Sequence, residues 1–264
     1  MQHVPGSGVG DLSTINFHFP ESIETKKSRL SSITDNMDSP SISQVAPNLF
    51  VGNVASSMNR NVLRHHNITA IVSLLDGPYS KWENPKNRQI VPQECHLFVP
   101  CLDNSTMDIL CLLDDICDFI DLQLDRHGSL RSPSSFISEE FDPDTASTIE
   151  SEDSARESNV LIHCRLGMSR SASVAIAYLM RQRQLSLDVI IAEVRARRKV
   201  KPRGNFMDQL QVWQAVEYQL WEDKQKRIPK APYQSYLDGR AVRLAAKGLT
   251  GNEPIVPLCD WDEY

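Results

Sequence analysis

A cysteine and an arginine six residues apart carry the most reactive pattern in the sequence. Cys164 follows an apolar run at 160–162, and it precedes Gly167, Arg170 and an alanine-rich helical pattern. A thiol held in a tight turn between a buried strand and a helix N-terminus has a lowered pKa. The backbone N–H groups of the same turn can surround an anion. The sequence therefore predicts a nucleophilic thiolate inside a phosphate-binding loop.

Other side chains around this cysteine have distinct predicted roles. The Arg170 guanidinium can form two parallel hydrogen bonds to phosphate oxygens, and Gly167 lets the turn curl so that N–H groups point inward. Ser171 can donate to the Cys164 sulfur or cap the following helix, and the residues alone leave both roles open. His163 is expected to orient the loop as a neutral imidazole that donates to a loop carbonyl. We assign phosphate binding to Arg165, Leu166, Gly167, Met168, Ser169 and Arg170.

A phosphate ester also needs a proton donor for its leaving oxygen, and a thiolate cannot supply that proton. Asp103 is the first candidate because it follows a predicted strand. Strand carboxyl ends line the ligand crevice of parallel α/β sheets, so Asp103 and Cys164 would face one crevice. Asp76, which follows another predicted strand, is the second candidate. The alternative for Asp103 is a structural aspartate in a turn or at a helix start.

The cysteines indicate a reducing environment. Six cysteines show no CxxC pair and no zinc-like spacing, which is typical of buried thiols inside the cell. We expect a protein of the cytoplasm, with the nucleus as a second location. A low pKa would make Cys164 easy to oxidise, and Cys101 is the candidate to form a disulfide with it.

Charge and hydropathy exclude several partner classes. The 264 residues are 41% apolar, enough to bury a core, and the net charge is −6. A negative net charge disfavours nucleic acid and anionic membrane surfaces as partners. No apolar run is long enough for a membrane span, and the first ten residues lack the pattern of a secretory signal. The oligomeric state is left open.

Strand and helix patterns alternate along the chain, which predicts an α/β fold. We expect a single compact domain with a mainly parallel central sheet flanked by helices. The predicted strands are two within 44–53 and one each at 68–75, 96–99 and 160–162, and the predicted helices are 57–65, 107–126, 171–184, 187–198 and 206–225.

Composition divides the chain further. We interpret 1–42 as a disordered N-terminal region, 43–226 as the catalytic domain and 227–264 as a loosely attached C-terminal tail. An acidic, serine-rich insert, 128–158, interrupts the domain. The insert ends just before the strand that leads to Cys164, so we expect it to lie close enough to influence the loop.

The pattern His163-Cys164-x5-Arg170-Ser171 is similar to the signature of cysteine-dependent protein phosphatases. Further segments resemble the loop and helix, the first strand and a late helix of the dual-specificity branch of these enzymes. The resemblance spans about residues 43 to 222. The segments are Ser169–Ala172 followed by Ala177–Met180, then Leu49–Asn53, and Asn205–Leu210.

The resemblance implies a reaction in two steps. Cys164 attacks phosphorus while Arg170 and the loop amides hold the phosphoryl oxygens, and Asp103 protonates the leaving hydroxyl. Water then hydrolyses the phosphocysteine with Asp103 as the base. The resemblance also implies phosphorylated proteins as substrates, on tyrosine and on serine or threonine, and no metal or organic cofactor. The chain departs from the pattern at Arg203, where many relatives have an asparagine after the proline.

Two other functions stay open. A lipid or RNA phosphatase could use the same loop, but phosphoinositide enzymes usually carry lysines where this chain has Leu166 and Met168. A phosphoprotein-binding scaffold with an inactive site would be expected to lack Cys164 or Arg170, and both are present.

Overall fold

A five-stranded sheet organises the part of the chain that the structure describes. The structure, a computed structural model, describes residues 39–77, 80–128, 158–251 and 253. The sheet has the strand order β1-β2-β5-β3-β4. Only the β1–β2 pair is antiparallel within this sheet, which confirms the predicted α/β class with a mainly parallel sheet. The strands are β1 (Ile42–Ala46), β2 (Leu49–Asn53), β3 (Ile68–Leu75), β4 (His96–Pro100) and β5 (Asn159–Cys164).

Helices cover both faces of the sheet. Short 3₁₀ turns at Ser80–Glu83 and Gln93–Cys95 add to them. None of the described helices combines the length and the apolar character needed to cross a bilayer. The α-helices are α1 (Val54–Met58), α2 (Arg60–His65), α3 (Pro85–Arg88), α4 (Leu110–Gly128), α5 (Arg170–Arg183), α6 (Leu187–Arg197), α7 (Gly204–Ala215) and α8 (Ala231–Ala245).

The side chains of β5 alternate between the two faces, as the period of a strand requires. Ile162 and Cys164 belong to the larger apolar cluster, which includes residues of α4, α5, α6 and α7. Leu161 belongs to the cluster on the other face, together with Trp82. Every residue of β5 is buried because β2 and β3 flank it on either side. The reactive cysteine therefore ends the central strand of the sheet, which is buried along its whole length.

The carboxyl ends of β3, β4 and β5 lie at one edge of the sheet. Cys164 is the register partner of Leu74 in β3, and Leu75 is the register partner of Pro100 in β4. Asp76 and Cys101 continue directly from those strands. The parallel sheet thus gathers the ends of three strands that are far apart in sequence.

Two predicted helices differ from the structure. The helix expected at 57–65 is two helices, because Asn59 accepts from the backbone N–H groups of Asn61 and Val62 and so starts a new one. The helix expected to reach 225 ends at Ala215. Tyr218 has a φ of 61° and donates its hydroxyl to the Leu185 carbonyl, a tertiary contact that turns the chain out of the helix.

The C-terminal tail is not loose over 231–245. These residues form α8, in which Tyr233 and Leu244 are only 3% and 4% exposed. The Lys230 ammonium also donates to the Val216 carbonyl at 2.8 Å. The sequence predicts only a weak helical patch near 239–247, which overlaps α8. The expectation of a loose attachment was wrong for 231–245, because the apolar residues of α8 are widely spaced and give a weak pattern. The expectations for 1–38, for 129–157 and for 254–264 lie outside the described residues.

The acidic insert is attached far from the loop. Its described ends are Gly128, at the end of α4, and Ser158, at the start of β5, and Ser158 donates to the Gln123 carbonyl of α4. Cys164 ends the same strand, about 20 Å away at about 3.3 Å per residue. The expected closeness of the insert to the loop therefore does not hold at its points of attachment.

Candidate active site

The chain makes a tight turn after β5 and enters α5 at once. Cys164 ends the strand, and Arg170 is the first residue of the helix. The Cys164 sulfur accepts hydrogen bonds from the Gly167 backbone N–H at 3.2 Å and from the Ser171 hydroxyl at 3.3 Å. The cysteine is only 2% exposed. The turn thus directs donors at the sulfur, as the sequence predicts.

The pKa of Cys164 is below that of an ordinary thiol. Burial by itself would raise the pKa of this thiol, but Arg170 and the hydrogen bonds from Ser171 and Gly167 more than offset that effect. Each of these groups stabilises the negative charge of the thiolate. A thiolate is the nucleophilic form of cysteine, so the site is prepared for attack on an electrophilic phosphorus.

The hydroxyl of Ser171 binds the Cys164 sulfur and does not cap the helix. Helix α5 begins after Ser169, which makes no side-chain capping bond. Ser171 lies one residue inside the helix, and its hydroxyl donates to Cys164. The sequence left open whether Ser171 donates to the Cys164 sulfur or caps the helix, and in the structure its hydroxyl donates to the sulfur.

We expect the Ser171→Ala variant to raise the pKa of Cys164, because the variant loses a hydrogen bond that favours the thiolate. The pH profile of Cys164 alkylation by iodoacetamide should then move to higher pH than in the wild type. Ser173→Ala is the matched control, since that buried hydroxyl donates to the Ser169 carbonyl and not to the sulfur. Superimposable profiles for the wild type and Ser171→Ala would refute this role.

Gly167 allows the loop to pass against the sheet. Its φ of 69° lies in the left-handed region. A Cβ atom there would be 2.4 Å from the carbonyl oxygen of Gly52, a backbone atom that cannot move aside easily. No side chain fits at this position, so the glycine is a steric requirement as well as a conformational one.

Arg198 braces the same turn from outside the sequence motif. Its Nε donates to the Gly167 carbonyl at 2.9 Å, and its terminal nitrogens donate to Ser41 and Ser43 near β1. Arg198 is buried. The next residue of the turn, Met168, accepts a separate hydrogen bond at its carbonyl from the Lys201 backbone N–H at 2.8 Å. Arg198 was not predicted from the sequence, because an arginine after a helix resembles a solvated surface residue.

Arg170 is anchored at the edge of the pocket. It is 6% exposed, and its Nη1 donates to the Cys101 carbonyl at 2.7 Å. Its Nε is buried without a hydrogen-bond partner among the described residues. A guanidinium has five N–H donors, so an anchored one still has donors for an anion. This geometry suits a phosphate-binding arginine.

His163 points away from the thiol, to the opposite face of the sheet. Its Nε2 lies 2.6 Å from the Ser73 hydroxyl, which also lies 2.7 Å from Nε2 of His96. Burial and then His96 lower the pKa of His163 to about 3, so the ring is neutral at physiological pH. The neutral ring agrees with the prediction, but the expected donation to a loop carbonyl is not found. Nε2 contacts the Ser73 hydroxyl, and Nδ1 is buried without a hydrogen-bond partner among the described residues. The orienting role stays a prediction. Ser73 and His96 were not predicted from the sequence, because neither lies near the motif.

A pocket of about 470 Å³ lies over the loop. Both acid candidates, Asp103 and Asp76, line it. Of the predicted phosphate-binding residues, all but Gly167 line it, and Gly167 contributes its amide to the sulfur instead. The lining residues are Asp76, Leu102, Asp103, Asn104, Cys164, Arg165, Leu166, Met168, Ser169 and Arg170.

Asp103 is held towards the loop by two donors. Its Oδ1 accepts from the Ser169 hydroxyl at 3.0 Å and from Arg203 Nε at 2.6 Å. The Asp103 side chain is 29% exposed, whereas Asp76 is 8% exposed as a residue. Arg203 is the position where the chain departs from the pattern of its relatives, and here it pairs with the predicted acid.

Cys101 is a buried thiol beside the site. It is fully buried, and burial raises its pKa to about 12 against the opposing effect of Arg170. A thiol with this pKa stays protonated at neutral pH, which disfavours it as an attacking group. Disulfide formation between Cys101 and Cys164 stays a prediction.

Comparison with known proteins gives one consistent family. The family model for the dual specificity phosphatase catalytic domain matches residues 49–216. Dual specificity protein phosphatase 1B of Arabidopsis thaliana is 26% identical over 175 residues, which cover 64% of this chain and 80% of that protein. A Slingshot homolog of Xenopus laevis is 47% identical over 60 residues, 22% of this chain and 9% of that protein. The chain therefore spans most of the first relative and a small part of the second.

Solved structures show the same fold. The Yvh1 phosphatase domain from Chaetomium thermophilum has 26% sequence identity and a TM-score of 0.51, covering 67% of this chain and 96% of that chain. Human DUSP28 has 24% identity and a TM-score of 0.50, covering 67% of this chain and 95% of that chain, and its likeness concerns the fold alone.

Proposed function

This chain belongs to the dual specificity phosphatase family, and we propose that it hydrolyses phosphotyrosine and phosphoserine or phosphothreonine in proteins through a phosphocysteine intermediate. Family membership makes it a protein phosphatase. The observation that carries the mechanism is the set of donors around Cys164, where Gly167 and Ser171 bond to the sulfur and Arg170 lowers its pKa.

In the first step, the Cys164 thiolate attacks phosphorus and a P–S bond forms as the P–O bond to the substrate breaks. Arg170 and the loop amides hold the three non-bridging oxygens, because fixed donors stabilise the charge of the transition state. Asp103 gives its proton to the leaving oxygen, so that a neutral alcohol or phenol departs. Asp103 is left as a carboxylate.

In the second step, water attacks the phosphocysteine and the P–S bond breaks. Asp103, now a base, takes one proton from that water. The Ser171 hydroxyl, 3.3 Å from the sulfur, stabilises the departing thiolate. Inorganic phosphate leaves, and the thiolate and the protonated Asp103 are restored. No step of this scheme requires a metal or an organic cofactor.

The charges of the pocket favour a substrate with one phosphoryl group. Arg165 and Arg170 are the cations among the lining residues, and Asp76, Asp103 and the Cys164 thiolate are the groups that can carry negative charge, so the wall has no excess of positive charge. The inner loop positions are Leu166, which is 42% exposed, and Met168. A polyanionic headgroup would call for more cations here, since local charge follows substrate charge. This argues for phosphoproteins over lipids and RNA.

We expect phosphate release from phosphotyrosine and phosphothreonine peptides to exceed release from phosphoinositide vesicles and from RNA 5′-triphosphate at least about tenfold in kcat/KM. Malachite-green measurement of phosphate from equal concentrations of each substrate checks this. A preference for the lipid or the RNA would instead support the alternative function of the same loop. Hydrolysis of only phosphotyrosine would contradict dual specificity.

The domain limits and the cellular location are also proposals. We propose the catalytic domain at 43–226, the limits at which the composition of the chain changes. We propose the cytoplasm, with the nucleus as a second location, because the cysteine usage fits a reducing compartment.

A further inference from the structure

The loop that carries Asp103 is held in place mainly by residues distant in sequence. It connects β4 to α4. Asn205, near the start of α7, donates its side-chain amide to the Asn104 carbonyl at 2.9 Å. Gln209, one turn later, donates to the Met107 carbonyl and accepts from the Ile109 backbone N–H. These contacts fix the second half of the loop against α7.

Helix α8 holds the same loop from another side. Arg240 donates to the Thr106 carbonyl from Nη2 at 3.1 Å and from Nε at 3.3 Å. Its Nε also lies 4.0 Å from Asp108. The Lys247 ammonium donates to the Ser105 hydroxyl at 2.8 Å. Thr106 is only three residues from Asp103, so a displacement of Thr106 can be transmitted along the loop to the predicted acid.

Helix α8 is itself firmly placed. Tyr233 packs edge-on against Trp221 with ring centroids 5.6 Å apart, and it belongs to the main apolar cluster. The Lys230 backbone N–H donates to the Leu220 carbonyl at 2.8 Å just before the helix. Helix α8 lies beyond residue 216, where the match to the family model ends. Helix α8 thus lies outside the segment matched by the family model and packs against the apolar core of the domain.

We propose that Arg240 is a positioning residue for the proton donor, acting through the Thr106 carbonyl, and that α8 sets the geometry of the Asp103 loop. This inference rests on the proposed role of Asp103 as general acid. The Arg240 side chain is 21% exposed, so its two hydrogen bonds to one carbonyl are partly shielded from water. Misplacement of a catalytic group by about 1 Å can cost about 100-fold in rate, so a remote brace can have a measurable effect.

The test uses the dependence of kcat/KM on the leaving group. Phenyl phosphate needs a proton donor for its phenoxide, whereas 4-nitrophenyl phosphate releases a more stable anion and needs the donor less. We expect Arg240→Ala in the full chain to lower kcat/KM about tenfold or more for phenyl phosphate and less than about threefold for 4-nitrophenyl phosphate. Arg240→Lys keeps one donor nitrogen, so its kcat/KM for phenyl phosphate should lie between those of Arg240→Ala and the wild type.

Arg243→Ala is the matched control. Arg243 lies on the same helix, is exposed and has its guanidinium over the Tyr236 ring at 5.7 Å from the centroid. We expect this variant to match the wild type on both substrates. A second measurement places Arg240→Ala in an Asp103→Asn background, where it should cause no further selective loss. Thermal denaturation of each variant reports any general loss of stability.

The outcomes distinguish a failure of the positioning role of Arg240 from a failure of the general-acid role of Asp103. Equal losses on both substrates, or a full additional loss in the Asp103→Asn background, would show that Arg240 only stabilises the fold and would overturn the positioning role. If Asp103→Asn alone showed no dependence on the leaving group, the acid assignment of the proposed function would fail instead.

Discussion

The Cys164→Ser variant is expected to lose at least about 10³-fold in turnover of 4-nitrophenyl phosphate, because a hydroxyl stays protonated where this thiol ionises. The loop directs the Gly167 N–H and the Ser171 hydroxyl at this one atom, and Arg170 lowers its pKa. These groups can stabilise a thiolate, but they cannot make a serine hydroxyl acidic at neutral pH. Initial rates in excess EDTA measure the effect.

Cys111→Ser is the matched control, since Cys111 is an exposed cysteine in α4. We expect it to keep wild-type activity. The phosphocysteine mechanism would be untenable if Cys164→Ser and the wild type turned over at the same rate. Loss of wild-type activity on addition of EDTA would likewise point to a metal-dependent reaction. An inactive wild type would favour the phosphoprotein-binding scaffold.

The Asp103→Asn variant is expected to lose about 10² to 10⁴-fold in kcat/KM on a phosphotyrosine peptide, the usual contribution of a general acid. The amide has nearly the shape of the carboxyl group but has no proton to give to the leaving oxygen. Ser169 and Arg203 hold the Asp103 carboxylate beside the loop, and its 29% exposure lets it reach a substrate in the pocket.

Asp76→Asn is the decisive comparison, because Asp76 also follows a strand and lines the same pocket. Asp76 is more deeply buried, at 8% exposed, so we expect its replacement to change kcat/KM less than about tenfold. A larger loss from Asp76→Asn than from Asp103→Asn would reverse the assignment of the acid.

Local sequence predicted the elements around the chemistry well. The run Ile68–Leu75 is a strand with the predicted limits, and the motif gave the strand, turn and helix around Cys164. Such predictions succeed because residues close in sequence decide them: β-branched residues favour a buried strand, and a glycine permits the turn. The placement of Asp103 at the pocket followed from one topological rule for parallel sheets.

Long-range contacts could not be predicted in this way. The end of α7 at Ala215 and the packing of α8 depend on partners many residues away, such as Leu185 for Tyr218. The Ser73–His163 contact and the hydrogen bond from Arg198 to the Gly167 carbonyl likewise join residues that are distant in sequence. In sequence, each of these side chains resembles an ordinary surface or core residue.

The sequence by itself determined the reactive loop, because Cys164, Gly167, Arg170 and Ser171 act on one another within a single turn. Only the tertiary structure decided what surrounds that loop. It showed that Ser169 and Arg203 hold Asp103, directed the Ser171 hydroxyl at the sulfur and brought Arg240 of α8 to the Asp103 loop. The physical reason is that a short turn has few possible geometries, whereas contacts across a hundred residues depend on how the whole chain packs.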